Sequence, residues 1–554
     1  MGGRRRQATK PDDVMYLFDN PVLQRELLVN LRMTRAFVLL LLYLGLLGLV
    51  VFLAWPQERQ LDLTTNPLAA RRLVNLVFLG QYLLASMMAP SFAAGAITGE
   101  KERKSYEMLL ASPLRPGAIV LGKLLASLCH LLLLVFASLP IVMLCLPLGG
   151  VSLYEALAAY LGLILSVITF GMISLAASSY FRRTSASLVV AYLVILPLAL
   201  LGVACWVALE NQGSLRLMMT VTVLPAACAL ICITLFRATA ARLLHPPDVG
   251  SEGKEVVDLD VEAKEAMGLV IRSDQFPDRL FAPAKRTDLL EDGVNPVYDK
   301  EMRSEIFSQG TLMLRVVIQI SMLLAIPLMA FFLYAFPELA PWYISYVVGF
   351  NMLVGPVFSA GSVTSERERE TLDLLLTTIL SPGQILWAKL VSGLRVSSVL
   401  TMFLLWPLVL AIVMVNTYWT NLPIVLGYLA IVLATCLTTA TIGLFCSVMF
   451  YKTSISLMTT YLVIVLLFTL PLAVTFFAGT FFPDSAAKGW IAQASFTSPF
   501  SAAFSLPIDT QMPRARAAPP DWWFFASFVT FYAALDGASL VTMTWLFNYR
   551  WRAG

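Results

Sequence analysis

The chain has 554 residues, of which 58% are apolar and 13% charged, with a mean hydropathy of +0.77. Soluble proteins are about half apolar and about a quarter charged, so the composition excludes a soluble globular protein and predicts an all-α polytopic membrane protein. The net charge of +4 is small and says little about partners; no nucleic-acid partner is expected. Seven cysteines, Cys129, Cys145, Cys205, Cys228, Cys232, Cys436 and Cys446, lie in apolar runs at neither disulfide-framework nor zinc spacing.

A helix needs about 20 apolar residues to cross a bilayer. The first such run follows a charged amphipathic stretch and is a spanning helix, not a cleaved signal peptide. The first half of the chain predicts spans at 36–55, 73–97, 117–147, 153–180, 185–209 and 217–237. The second predicts spans at 312–335, 341–363, 384–415, 422–450, 453–480 and 523–548. Twelve spans therefore divide into two six-span halves, 1–237 and 295–554. Because six is even, the halves face the same way, as a parallel repeat. Between them lies a charged linker, 238–294, with 18 charged side chains in its last 50 positions; it reads as largely flexible. Outer loops are mostly short. The exception, about 481–521, is too small for a sizeable domain and is a candidate cap over an exit path.

Lys and Arg collect on the cytoplasmic side of membrane proteins. With the N-terminus inside, 32 of the 39 Lys and Arg fall on inside segments and flanks. Both termini are thus expected in the cytoplasm, and the chain in a cell membrane, the inner membrane of a bacterium. Trp55, Trp342, Tyr343, Tyr418, Trp419, Trp522 and Trp523 fall at predicted outer ends and read as an interfacial aromatic belt.

The repeat is visible in the residues. Thr98–Leu124 aligns without gaps on Thr364–Leu390, with 12 of 27 positions identical. The identities include both Glu of an ExER core (Glu100, Glu102, Arg103; Glu366, Glu368, Arg369), a Leu pair (Leu109, Leu110; Leu375, Leu376), a Pro-Gly and Lys123/Lys389. Asn20-Pro21-Val22 with Arg25-Glu26 recurs as Asn295-Pro296-Val297 with Lys300-Glu301. Pro90 and Gly95 recur as Pro356 and Gly361, and Phe181 with Thr184 as Phe450 with Thr453. Helical spacing puts Tyr106, Leu109 and Leu110 on one face, and Leu372, Leu375 and Leu376 on the matching face. Each segment reads as a short amphipathic helix. Acidic side chains are plentiful in both, and anionic lipid would repel them; an apolar ridge docking in a groove of a soluble partner fits better.

Gly117–Lys123 has the spacing of a phosphate-binding loop. It lacks the Mg²⁺-binding Ser/Thr, since Leu124 follows, and no strand precedes it. The second copy has lost the second Gly. No nucleotide site is expected in this chain.

The ExER segment with its Leu pair, Pro and Lys, set between a second and a third span, resembles the permease subunits of ABC-2 type ATP-binding cassette exporters. The six-span half and the helix ahead of span one, with Asn-Pro-Val, are similar too. The resemblance covers almost the whole chain, twice. It implies coupling helices at about 99–112 and 365–378, with Glu100, Glu102, Arg103, Tyr106, Leu109, Leu110, Glu366, Glu368, Arg369, Leu372, Leu375 and Leu376 as coupling residues. It also implies connecting helices at about 14–34 and 295–310. The partners it implies are two nucleotide-binding ATPase subunits, alike or different, that hold the ATP and Mg²⁺, with one copy of this fused chain per transporter. The implied mechanism is export by alternating access, and the chain itself is not an enzyme.

Within the bilayer, Asp536 sits near the middle of the last span. A lone acid there costs about 2.5 kcal/mol or more, so it is expected to face another helix or a cavity. His130 and Asn351 are the other intramembrane polar candidates, read first as packing groups. Lys389 and Arg395 are expected to snorkel from the first turns of their span. An ion-coupled secondary transporter is the alternative class; it would want several intramembrane acids, and the sequence offers essentially Asp536.

Overall fold

A computed structural model describes residues 20–31, 34–54, 67–102, 104–111, 114–145, 152–181, 184–209, 212–244, 295–303, 319–320, 323, 326–368, 370–482, 487–508 and 519–549. Every regular element among them is helical. The first half runs α1 (Pro21–Leu31), α2 (Thr34–Ala54), α3 (Pro67–Ala93), α4 (Gly95–Glu102), α5 (Tyr106–Leu110), α6 (Pro116–Cys145), α7 (Leu153–Tyr180) and α8 (Thr184–Ala208). It continues with α9 (Gly213–Met218) and α10 (Leu224–Leu244), joined by a π-turn at Met219–Val223. The second half runs α11 (Pro296–Arg303), α12 (Ala340–Ser359), α13 (Thr364–Glu368), α14 (Leu372–Leu376), α15 (Pro382–Met414) and α16 (Asn416–Thr420). It goes on through α17 (Leu422–Met449), α18 (Thr453–Ile464), α19 (Leu470–Phe481), α20 (Ala487–Ala494), α21 (Pro499–Phe504) and α22 (Trp522–Phe547).

Among the described residues, ten helices are long and apolar enough to cross a membrane. They are the second to sixth expected spans of each half. The first expected span of the first half falls on α2, 21 residues long, of which the described apolar stretch is Tyr43–Leu53, and that of the second on a shorter apolar helix, Ile326–Ala335. Twelve full spans are therefore not established. The linker from residue 245 onward, residues 304–318, Arg103 and Arg369 lie outside the described residues.

Local chemistry explains where the spans begin. Ser152 and Glu155 form a reciprocal capping box ahead of α7, and Ser381 and Gln384 form another ahead of α15, with Pro382 at its first position. Each box satisfies backbone N–H groups that a helix start leaves unpaired. The Asp521 side chain accepts from the Phe524 N–H at the start of α22. A Cβ at Gly443 would lie 3.0 Å from Ser359 Cβ and 3.2 Å from the Ala360 backbone nitrogen. Helices α12 and α17 approach at a distance that glycine permits.

By contacts the chain forms two compact units. One comprises Met1–Ser187 with Ala208–Ser251, and the other Leu188–Val207 with Glu252–Gly554. The body of span five of the first half thus belongs to the second unit, where Val189, Ala191, Tyr192, Leu193 and Ile195 are inaccessible to solvent.

One expectation changes. Tyr343 and Tyr418 are buried, and their hydroxyls donate to the carbonyls of Leu404 and Leu333. They are core residues that spend their polar tip on span backbone rather than belt residues, whereas Trp342, Trp419, Trp522 and Trp523 are exposed. The 481–521 loop contains α20 and α21 and is tied to the spans. Ser498 donates to the Phe468 carbonyl at 2.6 Å, while the Tyr428 and Tyr532 hydroxyls donate to the carbonyls of Leu506 and Thr497.

Candidate functional site: the two ExER segments

The segments expected as single helices at 99–112 and 365–378 are each broken in two. In the first, α4 ends at Glu102 and α5 begins at Tyr106; in the second, α13 ends at Glu368 and α14 begins at Leu372. The breaks coincide with left-handed backbone at Lys104 (φ 57°) and Glu370 (φ 58°). The Ser105 N–H bonds the Glu100 carbonyl and the Lys104 N–H bonds the Lys101 carbonyl. Thr371 and Glu370 repeat this on Glu366 and Arg367. These paired bonds are a Schellman helix stop, a motif that usually carries glycine at the left-handed position. A residue with a Cβ stands there in both copies, at a cost of about 1 kcal/mol each.

The first Glu of each core is the centre of an ion cluster. In the second half, Lys389 is 1% exposed; its ammonium lies 2.8 Å from Glu301 on α11 and 3.6 Å from Glu366, and it donates to the Ser362 carbonyl at 2.8 Å. Lys300 adds a contact of 3.0 Å to Glu366, and the Thr371 hydroxyl donates to the same carboxylate. Burial by itself would raise the Glu366 carboxyl. The Thr371 hydroxyl and the Lys389 and Lys300 ammonium groups outweigh it and hold the pKa down at about 2. In the first half Lys123 reaches Glu26 on α1 at 3.5 Å and Glu100 at 3.4 Å. Glu100 is lowered too, its burial outweighed by the Ser105 hydroxyl and Lys123. Lys389 therefore does not snorkel: it joins the helix ahead of span one, the ExER segment and span three. The Arg395 guanidinium donates to the Tyr298 hydroxyl at 3.2 Å.

The connecting helices are pinned to the same span by their Asn. Asn20 caps α1 through the Val22 N–H and donates to the Ala118 carbonyl at 2.6 Å. Asn295 accepts from the Val297 N–H and donates to the Gln384 carbonyl at 2.9 Å.

The remaining core residues grip the turn between spans four and five. Glu102 accepts from the Thr184 N–H at 2.7 Å, and Glu368 from the Thr453 N–H at 2.9 Å. Each carboxylate thus caps the N-terminus of span five, where N–H groups are unpaired and the helix dipole favours an anion. The residue between the two Glu caps the opposite pole. Lys101 donates to the carbonyls of Ser178, Ser179 and Phe181; Arg367 donates to those of Val448 and Phe450. These are the C-terminal carbonyls of span four, which favour a cation. Ser178 then accepts from the Ile97 and Thr98 N–H groups, and Ser447 from those of Val363 and Thr364.

The apolar residues are turned differently from the expected ridge. Leu372 is buried in a core cluster with Val297, Val363, Leu386, Leu444 and Phe547, and Leu375 and Leu376 pack against it. Tyr106 is buried, and Leu109 and Leu110 are half-buried. The outward apolar residues are Met108, 79% exposed, and Leu374, 70% exposed, with Ile379 beside the second. Five-residue helices have too few turns for periodicity to decide which side faces in.

The intramembrane polar candidates sit apart from these segments. Asp536 accepts from the hydroxyls of Thr438 at 3.0 Å and Thr441 at 2.6 Å, both on α17. Asn351 accepts from Ser397 and Thr439. His130 stacks on Phe92. Cys232 lies 3.8 Å from the Thr169 hydroxyl on the neighbouring span. No cluster of His, Cys, Asp and Glu fit for a metal occurs among the described residues. Gly117–Lys123 is the opening of helix α6, and its Lys is taken by Glu26 and Glu100, so the stretch offers no loop to cradle a phosphate.

Membrane-length helices in two like halves, each with the same clamped segment, define a polytopic membrane permease. Residues 21–215 match a model described as ABC-2 family transporter protein, and residues 338–535 match a second model of the same description. The chain belongs to the ABC-2 transporter family and carries two of its permease domains. No curated protein and no solved structure matches it. As an ABC-2 permease it is the membrane component of an ABC transport system, a family without a nucleotide-binding domain of its own.

Proposed function

We propose that this chain is the membrane permease of an ATP-driven exporter, one copy per transporter. Two separate ATPase subunits bind ATP and Mg²⁺ and drive alternating access from the cytoplasmic side. The observation that carries this reading is the clamp. In each half the ExER segment is bonded at once to span three, the end of span four and the start of span five, and is tied to the connecting helix through Lys123 in the first half and through Lys389 and Lys300 in the second. A push on such a segment moves four elements as one body, the need of a permease whose motor lies outside it. The outward Met108 and Leu374, beside Glu107 and Asp373, form the contact with the motor. The Lys and Arg distribution supports cytoplasmic termini, and the composition suits a bacterial inner membrane.

The test is ATP hydrolysis by the purified chain, alone and with its co-expressed ATPase subunits. The chain alone is inactive; the complex hydrolyses ATP at a rate set by the permease. Hydrolysis by the chain alone overturns the proposal. So does a complex in which Arg367→Ala with Glu368→Ala leaves the permease-dependent rate unchanged.

A further inference from the structure

The two ExER segments are alike in how they are held and unlike in what they present. At three matched, exposed positions the first has Lys104, Glu107 and Arg115, and the second has Glu370, Asp373 and Ser381. The formal charge there is +1 in the first and −2 in the second. The other core positions match in sign: Lys101 with Arg367, Arg103 with Arg369, and both pairs of Glu. The apolar knobs differ as well. Met108 stands exposed in the first segment, and Leu374 and Ile379 in the second, where the sequence has Pro113 at the position matching Ile379. Interfaces select partners by opposite charge at the rim, and like charge across a rim discriminates against the wrong one. A single docking groove cannot complement both faces: a basic rim that suits the second repels the first.

We propose that the two segments dock on two different ATPase subunits. The second seats in a broad apolar groove with a basic rim. The first seats in an apolar pocket lined to take Met108, with an acidic rim opposite Lys104 and Arg115. This rests on the reading that the segments dock on ATPases at all, and the experiment separates the two.

A photo-crosslinking residue is placed at Met108 in one sample of the full chain and at Leu374 in another, in membranes that contain its ATPase subunits. The adducts are identified by mass spectrometry. Two different Walker A polypeptides, one at each position, are expected. The same polypeptide at both positions, or an ATPase at only one, overturns the inference. No ATPase at either position overturns the proposed function with it. The charge argument is tested by exchange. Glu370→Lys with Asp373→Asn gives the second segment the charge of the first, and Lys already occupies that left-handed position in the first copy. This variant lowers the adduct at position 374 about tenfold and leaves that at 108 unchanged. Lys104→Glu with Arg115→Ser does the converse. Adducts unaffected by either exchange overturn charge as the basis of selection.

Discussion

Lys389→Met is the most informative single substitution, because it removes a buried cation that touches two elements at once. Leaving a fully buried partner charge uncompensated costs about 3–5 kcal/mol. Here Glu301 and Glu366 keep 19% and 13% of their side-chain surface, and Lys300 still serves Glu366 at 3.0 Å. Water and the second cation reduce the cost to about 2 kcal/mol. Lys123→Met acts on longer contacts, 3.4 and 3.5 Å, with carboxylates 20% and 31% exposed. It costs about 1 kcal/mol or less. A double-mutant cycle isolates each pair: Lys389→Met with Glu301→Gln, and Lys123→Met with Glu26→Gln, read by unfolding in mixed detergent micelles. The coupling is about 1 kcal/mol in the second half and under about 0.5 kcal/mol in the first. Equal couplings in the two halves, or a Lys389→Met variant as stable as the parent, would refute the reasoning.

Other outcomes follow from the same contacts. Lys104→Gly and Glu370→Gly relieve left-handed strain and keep the helix stop, so each raises stability by about 0.5–1 kcal/mol in thermal unfolding; a loss would mean the side chains hold the turn. Glu368→Ala removes the cap on span five and costs about 1 kcal/mol, with faster amide exchange confined to the first turn of α18. The Glu366 carboxyl has a folded pKa of about 2 against an ordinary 4.5. On acidification the unfolded chain takes up the proton first, so the stability from this group is complete above about pH 4.5 and is lost as pH falls towards 2. Glu366→Gln flattens that part of the stability–pH profile. Asp536→Asn keeps one acceptor and turns an N–H donor to the other hydroxyl, which can accept it because both Thr hydroxyls also reach carbonyls of α17, those of Ala434 and Thr438; stability changes by less than about 1 kcal/mol.

The repeat, the membrane class and the ExER cores were legible in the sequence because they are properties of pattern: span-length apolar runs, and 12 of 27 matches at a fixed offset. The jobs of the core residues were not. Glu368 reaches Thr453 and Lys389 reaches Glu301 across 85 and 88 positions of chain, and no local spacing marks such pairs. The break at Lys104 and Glu370 was hidden because the usual mark of that backbone is glycine. Leu375 and Leu376 read as an outward ridge, yet they pack on their own core. Lys101 and Arg367 were not among the expected coupling residues, although their recurrence between two Glu was the available signal. The placement of Leu188–Val207 in the second compact unit had no counterpart in the repeat.

The central claim is that these segments carry force from an external motor into the membrane, and the exposed knobs test it most directly. Met108→Asp with Leu374→Asp alters outward side chains and leaves the clamp and its thermal stability intact. Permease-dependent ATP hydrolysis by the reconstituted complex is the measurement. The account predicts that this rate falls to that of the ATPase subunits alone and that the subunits no longer co-purify. A stable complex that hydrolyses ATP at the parent rate would contradict it.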